Sequence, residues 1–114
     1  MIANTPKPPY YAVIFSSMRT EVDESYGLVA EKMMELAAEQ DGYLGVESVR
    51  NGLGITVSYW KDLESIKKWR DNSKHKIAKE NGISKWYEVY KVRIAKVEID
   101  YDFEHDIDKI DKTT

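Results

Sequence analysis

Two short runs of period two, Tyr43 to Arg50 and Leu53 to Trp60, flank the dipeptide Asn51-Gly52. Asn-Gly in that setting is the strongest short hairpin signal, because both central residues of a type I′ turn need positive φ. An antiparallel strand pair must therefore sit near the middle of the chain. In its second strand Ile55, Val57 and Tyr59 share one face, and Thr56, Ser58 and Trp60 share the other. A face that carries hydroxyls and a tryptophan has the composition of a polar cavity wall.

The flanks repeat a simple scheme on either side of this hairpin. Tyr10 to Ser17 (YYAVIFSS) is dense in β-branched and aromatic residues without clean alternation, which predicts a strand covered on both faces. Thr20 with Asp23 fits a helix-start pattern, and Asp23 with Glu24 suits the positive helix N-terminus, so a first helix is expected from about Asp23. Tyr26, Val29, Ala30, Met33, Leu36, Ala37 and Gln40 then form one apolar stripe, while Glu31, Lys32, Glu35 and Glu39 face water. Met33 and Met34 read as core packing. Asp41-Gly42 ends the helix, glycine suiting the left-handed C′ position.

Beyond the hairpin, Tyr59 to Tyr90 holds all three tryptophans (Trp60, Trp69, Trp86) and His75, the histidine outside the acidic tail. Asp62 is a good N-cap for a second helix whose inner side carries Leu63, Ile66 and Trp69. Asp71-Asn72-Ser73 reads as a breaker, followed by a short third helix with His75, Ala78 and Gly82 on one side and an end at Asn81-Gly82. Trp86 to Ile99 predicts the longest strand. Trp86, Tyr90, Val92 and Ile94 lie on one face; Tyr87, Val89, Ala95 and Val97 lie on the other, interrupted by Lys91 and Arg93. One helix layer covers one face of such a strand, and the other calls for a partner subunit.

With 114 residues there is room for one domain. The organisation expected is an extended lead-in at 1–9, with Pro6, Pro8 and Pro9, a folded domain at 10–99 and an acidic tail at 100–114. The tail is expected to be ordered to about Phe103, either as an arm held by Tyr101, Phe103 and Ile107 or as a solvated segment. It carries −4 of the net charge of −3, leaving the body at +1, so no basic stripe marks a nucleic-acid partner. The absence of cysteine excludes disulfides, thiolate chemistry and Cys-ligated metals. No apolar run is long enough to cross a bilayer, and MIANTPKPPYY is not a secretory signal, which fits a cytoplasmic protein with no membrane partner. His75 and His105 make no metal-ligand cluster, and no phosphate-binding loop, dinucleotide or zinc-protease motif occurs.

Strand, helix, strand, strand, helix (broken), strand is the split βαβ pattern: an α+β, ferredoxin-like fold with a four-stranded antiparallel sheet and helices on one face. Burying the bare sheet face against a second copy would give a dimeric α+β barrel. At this level of detail the chain resembles the antibiotic biosynthesis monooxygenase family. The resemblance is carried by YAVIFSSMRTE near the start, GYLGVESVR at Gly42–Arg50, GITVSYWKDLESIKKW at Gly54–Trp69, Ser73 and His75, and WYEVYKVRIAKVE at Trp86–Glu98. It implies a homodimer with one pocket per subunit between sheet and helices. It also implies oxygenation of a small, electron-rich aromatic or quinol-like molecule with no metal or flavin: the substrate anion itself reduces O₂, in a dry pocket with a few hydrogen-bonding groups.

On that resemblance His75 is the candidate acid–base or anion-orienting group, its imidazole titrating near neutrality. The competing reading is a helix-terminal histidine bonded to backbone. Trp69 matches a pocket-lining position, against a core role. Tyr59, Trp60 and Tyr87, together with Trp86, are candidates for the pocket or the dimer interface, against the ordinary role of strand aromatics in a core. Arg93, like Lys91, is a candidate for an anionic ligand or for pairing across a dimer. Arg50, beside the hairpin, reads as solvated. Two further functions stay open: a non-catalytic ligand-binding or stress-related dimer, and haem binding with His75 as axial ligand. Haem-degrading members carry an Asn on the first strand, which YYAVIFSS lacks, and a longer Trp–His spacing than Trp69 to His75.

Overall fold

The computed structural model describes residues 1–23, 25–79 and 83–105, with side chains left aside at 74–79, 83 and 84. The elements run β1 (Tyr10–Arg19), α1 (Tyr26–Ala38), β2 (Tyr43–Asn51), β3 (Leu53–Trp60), α2 (Leu63–Lys79), α3 (Ile83–Trp86) and β4 (Tyr87–Val97). The four strands form one antiparallel sheet in the order β2-β3-β1-β4. That is the ferredoxin-like α+β arrangement expected from the element order. β1 is one of the two inner strands, paired with β3 through Val13↔Ser58 and with β4 through Val13↔Ile94.

Both long helices pack on one face. Trp60 is wholly buried, in a core with Ala37 of α1 and Ile66 of α2, and half-buried Tyr11, Val13, Tyr43 and Trp69 close around it. Covering a tryptophan removes ~150–250 Å² from water, worth about 4–6 kcal/mol, so this residue anchors the helix layer to the sheet. Tyr26, Val29, Ala30, Met33, Leu36, Ala37 and Gln40 are all buried or half-buried, whereas Glu31, Lys32, Glu35 and Glu39 are exposed. Met33 is half-buried, but Met34 is 37% exposed and lies off that stripe.

Five local expectations are corrected. α1 begins at Tyr26 rather than Asp23, after Ser25 at φ 62°. The expected start residues are engaged elsewhere: the Thr20 hydroxyl accepts the Val22 N–H at 3.2 Å, and Asp23 pairs with Arg19 at 3.4 Å. Glu24 lies outside the described residues. In the hairpin Gly52 is left-handed at φ 78° but Asn51 is not; Asn51 pairs with Leu53, so the turn is tighter than a two-residue loop. α2 runs unbroken through Asp71, Asn72 and Ser73, with the Ser73 hydroxyl turned back onto the Arg70 carbonyl at 3.1 Å. Asn81 and Gly82 lie outside the described residues. Trp86 closes α3 rather than opening β4. A register shift on β1, from Met18↔Val89 to Arg19↔Tyr87, skips Glu88 and brings Tyr87 to the side of Phe15, away from the face that strict alternation assigns to it.

The Asp62 cap forms as expected, its carboxylate accepting the Ser65 N–H at 2.7 Å. On the face away from the helices, the Ala3 N–H donates to Glu47 at 2.9 Å and the Thr5 hydroxyl to the Tyr10 oxygen at 3.0 Å. The Tyr10 hydroxyl in turn donates to Asp100 at 2.5 Å. Lead-in and tail are thus tied together at Tyr10. Tyr101 and Phe103, expected anchors of the tail, are 95% and 87% exposed, so Asp100 performs that task here. Ile107 lies outside the described residues.

Candidate functional site

Cross-strand pairs share a face, so the register defines the floor beneath the helices. Four rows cross β3, β1 and β4: Trp60–Tyr11–Lys96, Ser58–Val13–Ile94, Thr56–Phe15–Val92 and Gly54–Ser17–Tyr90. β2 adds Ser48 opposite Thr56 and Arg50 opposite Gly54. Aromatic rings gather at the two ends of this floor, and hydroxyls lie between them.

At one end Trp69 of α2 stacks on Trp60 with centroids 6.1 Å apart and planes at 23°, and Tyr43 meets Trp60 edge-on at 5.6 Å. Burial pushes the Tyr43 phenol above its ordinary value. The Trp60 Nε1–H donates to the Ser58 hydroxyl at 2.9 Å, and Ser48 and Thr56 share a hydrogen bond of 2.8 Å. At the other end Phe15 stacks on Tyr90 and meets Tyr87 edge-on, both at 5.4 Å, while Tyr26 reaches in from α1 against Trp86 and Tyr87. The Tyr87 hydroxyl donates to that of Tyr26 at 3.2 Å. Burial first, and then this hydrogen bond, push the Tyr87 phenol far above its ordinary value. Near neutral pH it stays neutral with its one proton committed to Tyr26, so its oxygen can accept a hydrogen bond from a ligand but not take its proton. Arg19 lies over the Tyr26 ring at 3.3 Å, its remaining contacts going to Trp86 O, Val22 O and Asp23.

Of the residues singled out in the sequence, Trp60, Trp69 and Tyr87 lie on this helix side, the tryptophans at one end and Tyr87 at the other. Tyr59 and Arg93 lie on the opposite face, in the rows Tyr59–Ala12–Ala95 and Val57–Ile14–Arg93. The Tyr59 hydroxyl donates to Glu47 at 2.7 Å; burial, then this bond, push its phenol up to about 12. Arg93 borders a shallow groove of about 190 Å³ with Ser16, Met18, Leu53, Val89 and Lys91. The backbone of His75 belongs to α2, six residues after Trp69 and ~9 Å further along the axis; its side chain lies outside the described residues. The haem-ligand reading rests on that side chain. Among the described residues, no three His, Cys, Asp or Glu side chains gather where they could hold a metal ion.

Arg50 is exposed, as the solvated reading expects, but its guanidinium is also held by the sheet. It donates to the Ser17 hydroxyl at 2.6 Å, to the Ser17 carbonyl at 3.2 Å and to the Gly52 carbonyl at 3.3 Å. Phe15, Tyr26 and Tyr90 also belong to the site. The signal that would have found Arg50 was Gly54, a glycine inside a strand opposite an arginine.

A ferredoxin-like sheet with an aromatic-walled, hydroxyl-bearing floor under its helices defines the class to which the comparisons add a family. The chain belongs to the antibiotic biosynthesis monooxygenase family, whose pattern it matches over residues 9–81. It is 58% identical over 99 residues to the uncharacterized protein YqjZ of Bacillus subtilis, covering 85% of this chain and 87% of that one. It is 28% identical over 94 residues to the jasmonate monooxygenase ABM of Pyricularia oryzae, covering 76% of this chain but 43% of that protein. Among solved structures, a conserved protein from Methanosarcina mazei superposes with a TM-score of 0.65 at 13% identity, covering 76% of this chain and 91% of its own. SnoaB, a cofactor-independent oxygenase from Streptomyces nogalater, gives a TM-score of 0.63 at 7% identity, covering 88% and 98%. At those identities the likeness concerns the fold.

Proposed function

We propose that this protein is a homodimeric monooxygenase acting on a small aromatic or quinol-like molecule without metal or flavin. The observation that carries the reading is the helix-side floor: aromatic rings at both ends, with hydroxyls between them. Family membership supports it, as do the activities named for the jasmonate monooxygenase and for SnoaB. The substrate, as its anion, gives an electron to O₂; the radical pair joins as a hydroperoxide at the ring carbon. Loss of water then leaves a carbonyl, so one oxygen atom enters the product and the other leaves as water. His75 takes and returns the proton, Trp69, backed by the buried Trp60, flanks the ring, and the Tyr87 oxygen accepts a hydrogen bond from a substrate hydroxyl. Tyr59 and Arg93 serve the opposite face, where the second subunit packs. That face, with half-buried Ile14, Ile55 and Val57 and exposed Val49 and Val89, is the one left without helices. No helix of the described residues is long and apolar enough to cross a membrane, and we place the protein in the cytoplasm.

Oxygen uptake with a panel of hydroquinones and anthrones tests the reading. Catalysed uptake should exceed the spontaneous rate and fall by roughly 10²-fold or more in His75→Ala. Uptake equal to the buffer rate across the panel, or unchanged in both His75→Ala and Trp69→Ala, would sink it. A non-catalytic ligand-binding dimer is the second reading, favoured by the hydroxyls bonding one another: among the described residues no buried side-chain polar atom lacks a partner. Haem binding through His75 is the third. A Soret band on adding hemin, abolished by His75→Ala, would select it.

A further inference from the structure

We propose that Arg50 forms an anion-binding subsite at the tyrosine end of the helix-side floor, and that it seats the carboxylate of a flat aromatic ligand. The inference rests on the reading that this floor is where a ligand binds, and it adds the ligand's charge.

The geometry comes from one row of the sheet. Arg50 on β2, Gly54 on β3, Ser17 on β1 and Tyr90 on β4 lie side by side. An arginine on an edge strand ordinarily turns to water. This one stays exposed but also crosses the neighbouring strand to reach Ser17, whose side chain is almost wholly buried. Gly54 permits the crossing: a Cβ there would overlap the guanidinium carbon, Nη2 and Nε of Arg50. The chain therefore delivers a fixed cation to the middle of the sheet, beside the strand that carries Phe15 and the one that carries Tyr87 and Tyr90.

The hydrogen-bond inventory shows what that cation has left to give. A guanidinium has five N–H donors. Nη1 uses both of its own on the Ser17 and Gly52 carbonyls, and Nη2 uses one on the Ser17 hydroxyl. The remaining two, on Nε and Nη2, share one edge, the edge that binds a carboxylate side-on through two parallel hydrogen bonds. Among the described residues Arg50 makes no ion pair, whereas Arg19 is paired with Asp23 and stacked on Tyr26. Arg50 is thus held in place by neutral groups with its charge uncommitted. Its influence extends to Tyr87, whose ionised form Arg50 and Arg19 both favour, against the larger opposing effect of burial. The stacked Phe15–Tyr90 pair, in this row and the next, offers a flat ring its neighbours.

Calorimetric titration with 2-naphthoate and its neutral isostere 2-naphthamide tests the assignment. The wild type should bind the carboxylate at least about tenfold more tightly than the amide. Arg50→Gln should bring the two within about twofold, and Arg50→Lys should keep part of the preference, a point charge replacing a fork. Gly54→Ala retains the arginine but displaces its guanidinium, and should also erase the preference. Circular dichroism checks that each variant is folded, and the wild-type comparison stands if one is not. The proposal is overturned if wild type binds neither probe, binds both alike, or if folded Arg50→Gln still prefers the anion. No turnover is needed: anion preference with no oxygen uptake would leave this subsite standing and remove the monooxygenase reading. Uptake with kcat/KM unchanged in Arg50→Gln, and no anion preference, would do the reverse.

Discussion

Gly42→Ala should destabilise the fold through two separable effects. Gly42 joins the end of α1 to β2 with φ at 90°, and its carbonyl accepts the Lys61 N–H at 2.8 Å, just before α2 begins. A residue with a Cβ in that left-handed region costs about 1–2 kcal/mol. The added methyl would also overlap the Ser65 hydroxyl and Cβ, and Ser65 is only 6% exposed in the first turn of α2, so it has little room to yield. Overpacking of this kind costs ~1–3 kcal/mol. Together the loss is about 2–5 kcal/mol, a large share of the ~5–15 kcal/mol that holds a domain folded. The two parts separate in a double-mutant cycle with Ser65→Gly. That change alone weakens the helix by ~1 kcal/mol but removes the obstruction, so the double mutant should recover ~1–3 kcal/mol against the sum of the singles. Urea denaturation followed by tryptophan fluorescence, at one fixed protein concentration, gives all four values. A Gly42→Ala variant within 0.5 kcal/mol of wild type, on the scale of ordinary surface changes, would refute the strain argument. A coupling of zero would refute the contact.

Trp60→Ala should lose about 3–5 kcal/mol in the same assay, since the indole is wholly buried between Ala37 and Ile66; a loss under ~1 kcal/mol would mean that it lines open space. A near-UV absorbance titration should show one phenol ionising near 12, absent in Tyr59→Phe. The raised value means that Tyr59 contributes stability fully present below pH ~10, where the unfolded phenol begins to ionise, and lost as pH climbs towards 12. Hydrogen bonds from the Ser65 side chain and then its N–H hold Asp62 below the usual carboxylate range, so its capping stability is present at neutral pH and is lost on acidification. Asp62→Ala should lower Tm at pH 7 and narrow its difference from wild type in acid; an unchanged Tm would remove Asp62 as the cap.

Patterns confined to a few neighbouring residues were legible in the sequence. The stripe from Tyr26 to Gln40, the alternation that sends Trp60 inward and Tyr59 outward, and the Asp62 cap each depend on positions within two turns or one strand, and each appears in the structure. What escaped depends on pairing between distant segments. The bulge at Met18 and Arg19 reassigns Tyr87 to the helix side, and no alternation within β4 carries that information. Asp71, Asn72 and Ser73 have weak helix propensity, yet the helix continues through them, since propensity is a small prior that tertiary context overrides. Arg50 is exposed as expected, but its bonds to Ser17 escaped because Ser17 lies on another strand, 33 residues away in sequence. The candidate site was therefore half visible: Trp60, Trp69 and Tyr87 by residue type, but not Phe15 and Arg50, which join it through the register, nor Tyr26, which joins it through the packing of α1.

The Trp60–Trp69 stack also gives the molecule an internal optical gauge. Two indoles 6.1 Å apart and 23° from parallel lie close enough for their transitions to couple, so their dichroism reports separation and tilt together. One ring is fixed in β3 and the other rides on α2. A ligand that slid beneath the helix, or a variant that let it lift, would register as a change in that coupled signal before any global unfolding, with no label attached to the protein.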